Sequence, residues 1–276
     1  MNKLTIQKQA QVLGALVEGN SIRSTVRMTG AAKNTVVKLL CDVGRACEQY
    51  QDKIMINLPC KKIQVDEIWS FCYAKNRNVP EKYLGKQGYG DVWTWVALDP
   101  DTKLVPCWLV GGRSKFWAKR FMYDLAWRMA GRIQLTTDAY APYYNAVCEA
   151  FKDKVDYAQL MKLYGVDRTQ DKIKYSPPRL LYAMPKTMIG RPDQRHISTS
   201  YVERQNLTMR MQMKRFARLT NGFSKKIENL YYAVALHFMN YNFCRIHKTL
   251  GVTPVMAIGL STHLWKLEDI LDLLKK

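Results

Sequence analysis

The apolar pattern changes period between residues 50 and 62, and this switch divides the chain into a helical part and a β-rich part. Before it, Ile6, Ala10, Leu13, Leu16 and Val17 recur at helical spacing and stop at Gly19-Asn20. A short run around Ile22, Val26 and Met28 ends at Gly30. A third helix, residues 33–47, carries Val36, Val37, Leu39, Leu40 and Val43. After the switch, residues 63–73, 92–98 and 104–110 read as three strands with short connections, which predicts an antiparallel meander. Ser114 then opens a helix that is expected to close at Gly131, and residues 132–137 form a strand ending at Asp138. Pro142 begins a further helix to about Phe151, and residues 157–164 offer a fifth strand.

The expected class is therefore mixed α/β, in the order β-β-β-α-β-α, which is the order of the ribonuclease H-like fold. The three leading helices, the last two joined by a tight turn containing Gly30, fit a helix-turn-helix whose final helix enters a major groove. On that reading Lys33, Asn34, Thr35 and Lys38 face the DNA; the alternative is a small bundle with solvated charges. The predicted division is a helix-turn-helix at 1–50, a linker at 51–62, a catalytic domain at 63–260 with an insertion at about 152–198, and a C-terminal helix at 261–276. Residues 175–178 and 190–192 read as irregular loops.

Charge narrows the partners. Lys and Arg number 43 against 23 Asp and Glu, a net charge of +20, and a folded chain so basic is suited to a polyanion. The seven cysteines are scattered without a C-x-x-C pair, and no apolar stretch reaches membrane-spanning length. A soluble, cytoplasmic protein that meets nucleic acid rather than membrane is expected.

Three acidic residues sharpen the expectation. Asp66 lies inside the first apolar strand, where a carboxylate is costly unless compensated. Asp138 ends the fourth strand, the neighbour of the first in a ribonuclease H-like sheet, and Glu203 lies in the first turn of a helix starting near Thr199 or Ser200. Converging, they make an oxygen-rich site for two Mg²⁺ ions and in-line attack on a phosphodiester. Taken singly, each has a structural reading: Asp66 on an exposed strand face with Glu67 on the opposite one, Asp138 as a helix-entry residue, and Glu203 as the end of a capping box starting at Ser200. Around Glu203 the chain is basic, with Arg204, Arg210, Lys214, Arg215, Arg218, Lys225 and Lys226. Arg210 lies two helical turns beyond Glu203 and so on its face.

The chain resembles the DDE transposases of the insertion-sequence-one family. The resemblance rests on Val65-Asp66-Glu67-Ile68-Trp69, on Thr137-Asp138-Ala139-Tyr140, on the run from His196 to Asn206, on Thr220-Asn221-Gly222-Phe223-Ser224, and on the stretch from Tyr241 through His247 to Leu250 with Thr253-Pro254. It implies that Asp66, Asp138 and Glu203 are catalytic and hold two Mg²⁺ ions, for which Mn²⁺ can substitute. It also implies a basic residue at Arg210 beside the carboxylates. The implied partner is double-stranded DNA, as the terminal inverted repeats of the element and a target, in a prokaryotic, nucleoid-associated setting and with a dimer as the least assembly. The zinc finger often found in this family has no matching cysteine pairs here. The readings outside that class are a DNA-binding regulator without catalysis and a plain metal-dependent nuclease.

Overall fold

The computed structural model of the chain describes residues 4–165, 179–217 and 220–275. The predicted loop at 175–178 and Arg218 lie outside them. The N-terminal part forms α1 (Ile6–Val17), α2 (Ile22–Thr29) and α3 (Lys33–Ile54). The Thr5 and Ser21 hydroxyls accept from the third-position amides of α1 and α2, and Gly30 ends α2 at φ 70°, in the left-handed region. Helix α3 runs past Cys47, where the sequence pattern stops it, because Gln51 continues its buried face and donates to the carbonyls of Cys47 and Ala235.

A mixed six-stranded sheet follows, in the order β3-β2-β1-β4-β5-β6. Its members are β1 (Lys62–Cys72), β2 (Gly90–Leu98), β3 (Trp108–Gly111), β4 (Ile133–Asp138), β5 (Val155–Gly165) and β6 (Arg179–Ile189). β1 pairs antiparallel with β2 and parallel with β4, and β4 pairs parallel with β5. The first five strands thus keep the expected ribonuclease H-like arrangement. β3 is shorter than predicted. Pro106 lacks a ladder amide, and the side chain of Asn242 takes the place of a neighbouring strand, accepting from the Val105 amide at 3.1 Å and donating to its carbonyl at 3.0 Å.

Helices α4 (Lys115–Arg128) and α5 (Pro142–Phe151) cover one face of the sheet, over Ile63, Val65 and Trp95, with Tyr143 of α5 against Trp95. Helices α6 (Ser200–Gln212) and α7 (Ile227–Met239) cover the other, over Ile68 and Val96, with Val202 of α6 in the same cluster. α4 stops before the expected cap at Gly131, because the Leu58 amide takes the Arg128 carbonyl and the Leu58 carbonyl takes the Ala130 amide. Two short helices, α8 (Pro254–Ala257) and α9 (Leu267–Asp272), close the chain. One apolar cluster runs from Leu13, Leu40 and Val43 of the leading helices through Met55 and Leu58 to the sheet. Met55, Leu58 and Cys60, in the predicted linker, are buried. Among the described residues no helix is long and apolar enough to cross a membrane.

The segment from Arg179 to Ile189 is a strand, a finding the sequence reading of 152–198 as insertion and loop did not contain. Among the described residues β6 pairs with β5 alone, at the edge of the sheet, and that position tolerates Pro185.

Candidate active site

The parallel pairing of β1 and β4 is recorded from Lys62 to Gln64, and Asp66 and Asp138 stand just beyond it on the two strands. One ligand oxygen each from Asp66, Glu67 and Asp138 lies within 4.8 Å of the others. Alternation along β1 sends Asp66 toward α6 and Glu67 toward α5, and Asp138 at the strand end meets both.

Each carboxylate is held differently. Asp66 accepts from the Asn206 amide of α6 at 2.9 Å. Asp138 accepts from the Tyr140 backbone amide at 3.0 Å with one oxygen, while the other lies 3.8 Å from Arg113. Asp138 thus holds the turn that precedes α5 without capping the helix, and stands in the cluster as well. Glu67 is buried, has an oxygen without a hydrogen bond, and faces the same Arg113 at 3.8 Å. Burial and then the Asp138 charge push Asp66 up to about 7. Burial, Asp138 and Asp66 push Glu67 up to about 8, with Arg113 opposing.

Helix α6 is set onto the sheet from below. A helix start leaves amides without partners, and here the amides of Tyr201 and Val202 both donate to the side-chain oxygen of Gln64, at 3.0 and 3.2 Å. Gln64 is two residues before Asp66 and so on its face of β1. The capping box at Ser200 does not form: the helix is capped at Thr199, whose hydroxyl donates to Glu203 at 2.6 Å. Glu203 is exposed and its carboxylate pairs with Lys162 of β5. The structure thus brings Asp66, Glu67 and Asp138 together and holds Glu203 on the flank, close enough for its charge to act on Asp66.

Replacing Gln64 with Leu takes the acceptor from two helix-start amides, the buried one of Val202 and the part-buried one of Tyr201. The expected loss is roughly 2 kcal/mol, read as a lower urea midpoint at unchanged slope; an unchanged midpoint would mean that the helix start is satisfied in another way.

The donor set suits a hard divalent cation. All of its members are oxygens; among the described residues the buried Asn206 amide oxygen beside it has no hydrogen bond, and the buried Glu67 oxygen has only Arg113 at 3.8 Å.

No family model matches the sequence, and no curated protein matches it. Among solved structures, the chain is similar to the piggyBac transposase synaptic complex with hairpin DNA, at 10% identity over 92% of this chain and 56% of that one, with a TM-score of 0.38. It is also similar to the Mos1 transposase paired-end complex with the left transposon end, at 9% identity over 56% of this chain and 60% of that one, with a TM-score of 0.23. The chain thus spans little more than half the length of either protein.

The remaining predicted residues lie on α3, on α6 and just after α6. Lys33, Asn34, Thr35 and Lys38 are exposed in the first turns of α3, with Lys38 paired to Asp42. Arg204 and Lys214 are exposed, whereas Arg210 is half-buried and donates to the Phe216 carbonyl at 3.4 Å. Sequence reasoning missed Glu67, Arg113, Gln64, Asn206 and Lys162 as parts of the site. A signal existed for two of them, since Gln64 shares the face of Asp66 and Asn206 follows Glu203 by three residues, on an adjoining part of α6. Nothing local marked Arg113 or Lys162, which reach the site only through the sheet order.

Proposed function

We propose that the chain is a DNA transposase that cuts DNA at the ends of a mobile element and joins the freed end to a target. The observation that carries this reading is the meeting of Asp66, Glu67 and Asp138 just past the paired stretch of the central strands β1 and β4 in a ribonuclease H-like sheet, in a chain of net charge +20.

Asp66, Asp138 and Glu203 are the proposed ligands for two Mg²⁺ ions, or for Mn²⁺ in their place. Bound there, the cations would supply the positive charge that lowers the pKa of an attacking hydroxyl and stabilises the leaving oxygen. The chain's own residues do the positioning. Asn206 fixes the orientation of Asp66, the Tyr140 amide fixes Asp138, and Gln64 seats the helix that carries both Glu203 and Asn206. Glu203 joins the other two once its pair with Lys162 opens. Arg204, Arg210 and Lys214 are assigned to the DNA backbone, and Lys33, Asn34, Thr35 and Lys38 to the bases of the terminal repeats, so that residues 1–50 choose the sequence and the sheet domain cuts it. Two ends must be brought together, which makes a dimer on DNA the least assembly.

The test is incubation of the full chain and Mg²⁺ with the DNA that encodes and flanks it. The expected products are discrete cuts at the boundaries of inverted repeats, followed by joined strands. Binding without cutting would make the protein a regulator, and scattered cuts without joining would make it a plain nuclease. Lys33→Ala with Lys38→Ala should weaken binding to the repeats and narrow the preference for them over unrelated DNA; a variant that still protects the repeats with wild-type affinity would remove α3 from DNA recognition.

A further inference from the structure

The carboxylates sit at one end of a row of aromatic rings that the fold covers only in part. On the α4–α5 face of β1 and β2, successive cross-strand rungs are Glu67 opposite Trp95, Trp69 opposite Trp93, and Phe71 opposite Asp91. The first rung is sealed, with Trp95 fully buried against Phe121 and Tyr143. The next two lie past that cover, and Trp69, Trp93 and Phe71 are half-buried. Phe223 extends the row, its ring 4.7 Å from that of Phe71, on a segment that bridges the end of β1 at Cys72 and Ser224. Rings in contact join Trp69 to Phe71 at 5.8 Å as well.

Cations stand over both ends of this row. The Arg113 guanidinium lies 4.9 Å from the Trp93 ring centre while facing Glu67 and Asp138, and the Lys225 ammonium lies 3.6 Å from the Phe223 ring centre. A row of partly bared rings flanked by cations supplies the two things an unpaired nucleotide needs, a flat apolar face for the base and a positive charge for its phosphate. Rungs two residues apart are separated by about 7 Å, close to two base-stacking steps of about 3.4 Å. From Glu67 to Phe71 the row covers about 14 Å, the reach of a few nucleotides.

We propose that Trp69, Trp93, Phe71 and Phe223 form a stacking platform for unpaired bases of a DNA strand whose backbone passes the carboxylates, with Arg113 and Lys225 holding its phosphates. The site therefore takes a DNA end that is opened or carries a single-stranded overhang in preference to a blunt duplex. This deepens the reading of the chain as a DNA-cutting enzyme and rests on its binding DNA, not on its cutting it.

The experiment measures binding of the full chain, without divalent metal, to a labelled blunt duplex and to the same duplex with a short adenine overhang containing 2-aminopurine. The wild type is expected to bind the overhang about tenfold more tightly, the gain expected from about one stacked base, and to quench 2-aminopurine fluorescence. Phe223→Leu and Trp69→Leu keep an apolar side chain but lose the stacking face. Each should cut the preference to about threefold or less, reduce the quenching, and leave blunt-duplex affinity and the melting temperature near wild type. Equal wild-type affinity for the two DNAs, or Leu variants that retain the full preference, would overturn the platform while leaving the cutting reading standing. Binding to neither DNA would overturn both.

Discussion

Asp138→Asn is expected to lower metal-dependent DNA cleavage by about a thousandfold and, at the same time, to raise the melting temperature of the metal-free protein. The two effects have one cause. Asp138, Asp66 and Glu67 are gathered within 4.8 Å, and the Asp138 charge is, after burial, the largest influence raising both of the others. An amide at this position removes that repulsion while keeping an oxygen for the Tyr140 amide, which Asp138 now accepts at 3.0 Å. A gain of a few degrees is reasonable for a relief of about 1 kcal/mol in a chain this long. The activity loss is larger because a metal centre contributes several kcal/mol to the transition state, and about 4 kcal/mol is a thousandfold. Mg²⁺ should also raise the melting temperature of the wild type, since a ligand that binds only the folded state stabilises it. It should do so much less for the variant. An Asp138→Asn protein that cuts at the wild-type rate, or that Mg²⁺ stabilises as strongly as it does the wild type, would show that the metal is held elsewhere.

Much of this architecture could be read from residues with strong local signals. The apolar run of β1 interrupted by Asp66, the short strand ending at Asp138 and Pro142 at the first turn of α5 each have one dominant local explanation, and the corresponding elements stand where the sequence puts them. The failures occur where a distant partner decides. Val105 is held by the side chain of Asn242, more than a hundred positions away, so the predicted strand at 104–110 begins only at Trp108. β6 carries Pro185, which argues against a strand until its edge position is known. The site shows the same division. Asp66 and Asp138 were visible because a carboxylate in or at the end of an apolar strand needs an explanation. Glu67 was read as the side chain on the opposite face, which is correct as to direction, but its entry into the cluster depends on where β4 ends. The seating of α6 by Gln64 and the pairing of Glu203 with Lys162 depend on sheet order, which no window of sequence contains.

The leading helices and the sheet are expected to unfold together, and Gly44 is the residue that tests it. Gly44 lies in α3 where that helix crosses α7 at Tyr232. A Cβ built on Gly44 would stand 2.5 Å from the Tyr232 carbonyl oxygen and 2.8 Å from its Cα, so the obstacle is backbone that cannot rotate aside. The rest of the crossing is bonded as well as packed: Cys41 donates to Asn229 at 3.1 Å, Tyr231 donates to Glu48, and Gln51 donates to the Ala235 carbonyl at 3.3 Å. Gly44→Ala gains up to about 1 kcal/mol of helix propensity yet should still lose stability, because separating two close-packed helices costs roughly 1 to 3 kcal/mol. Gly44→Leu should lose about 3 kcal/mol or more, a fall of roughly 6 to 9 °C in melting temperature for a chain of this size. Gly131→Ala is the control, since a Cβ there meets nothing within 4 Å, and its effect should stay within about 0.5 kcal/mol. Because Val36, Leu40 and Val43 of α3 belong to the same apolar cluster as Ile63, Val65 and Trp95 of the sheet, the Gly44→Leu transition should remain single, with tryptophan fluorescence and helical circular dichroism changing at one urea concentration. Two separated transitions, the first losing helix while the tryptophans stay buried, would show that α1 to α3 form a detachable unit and that α7 keeps its place without them.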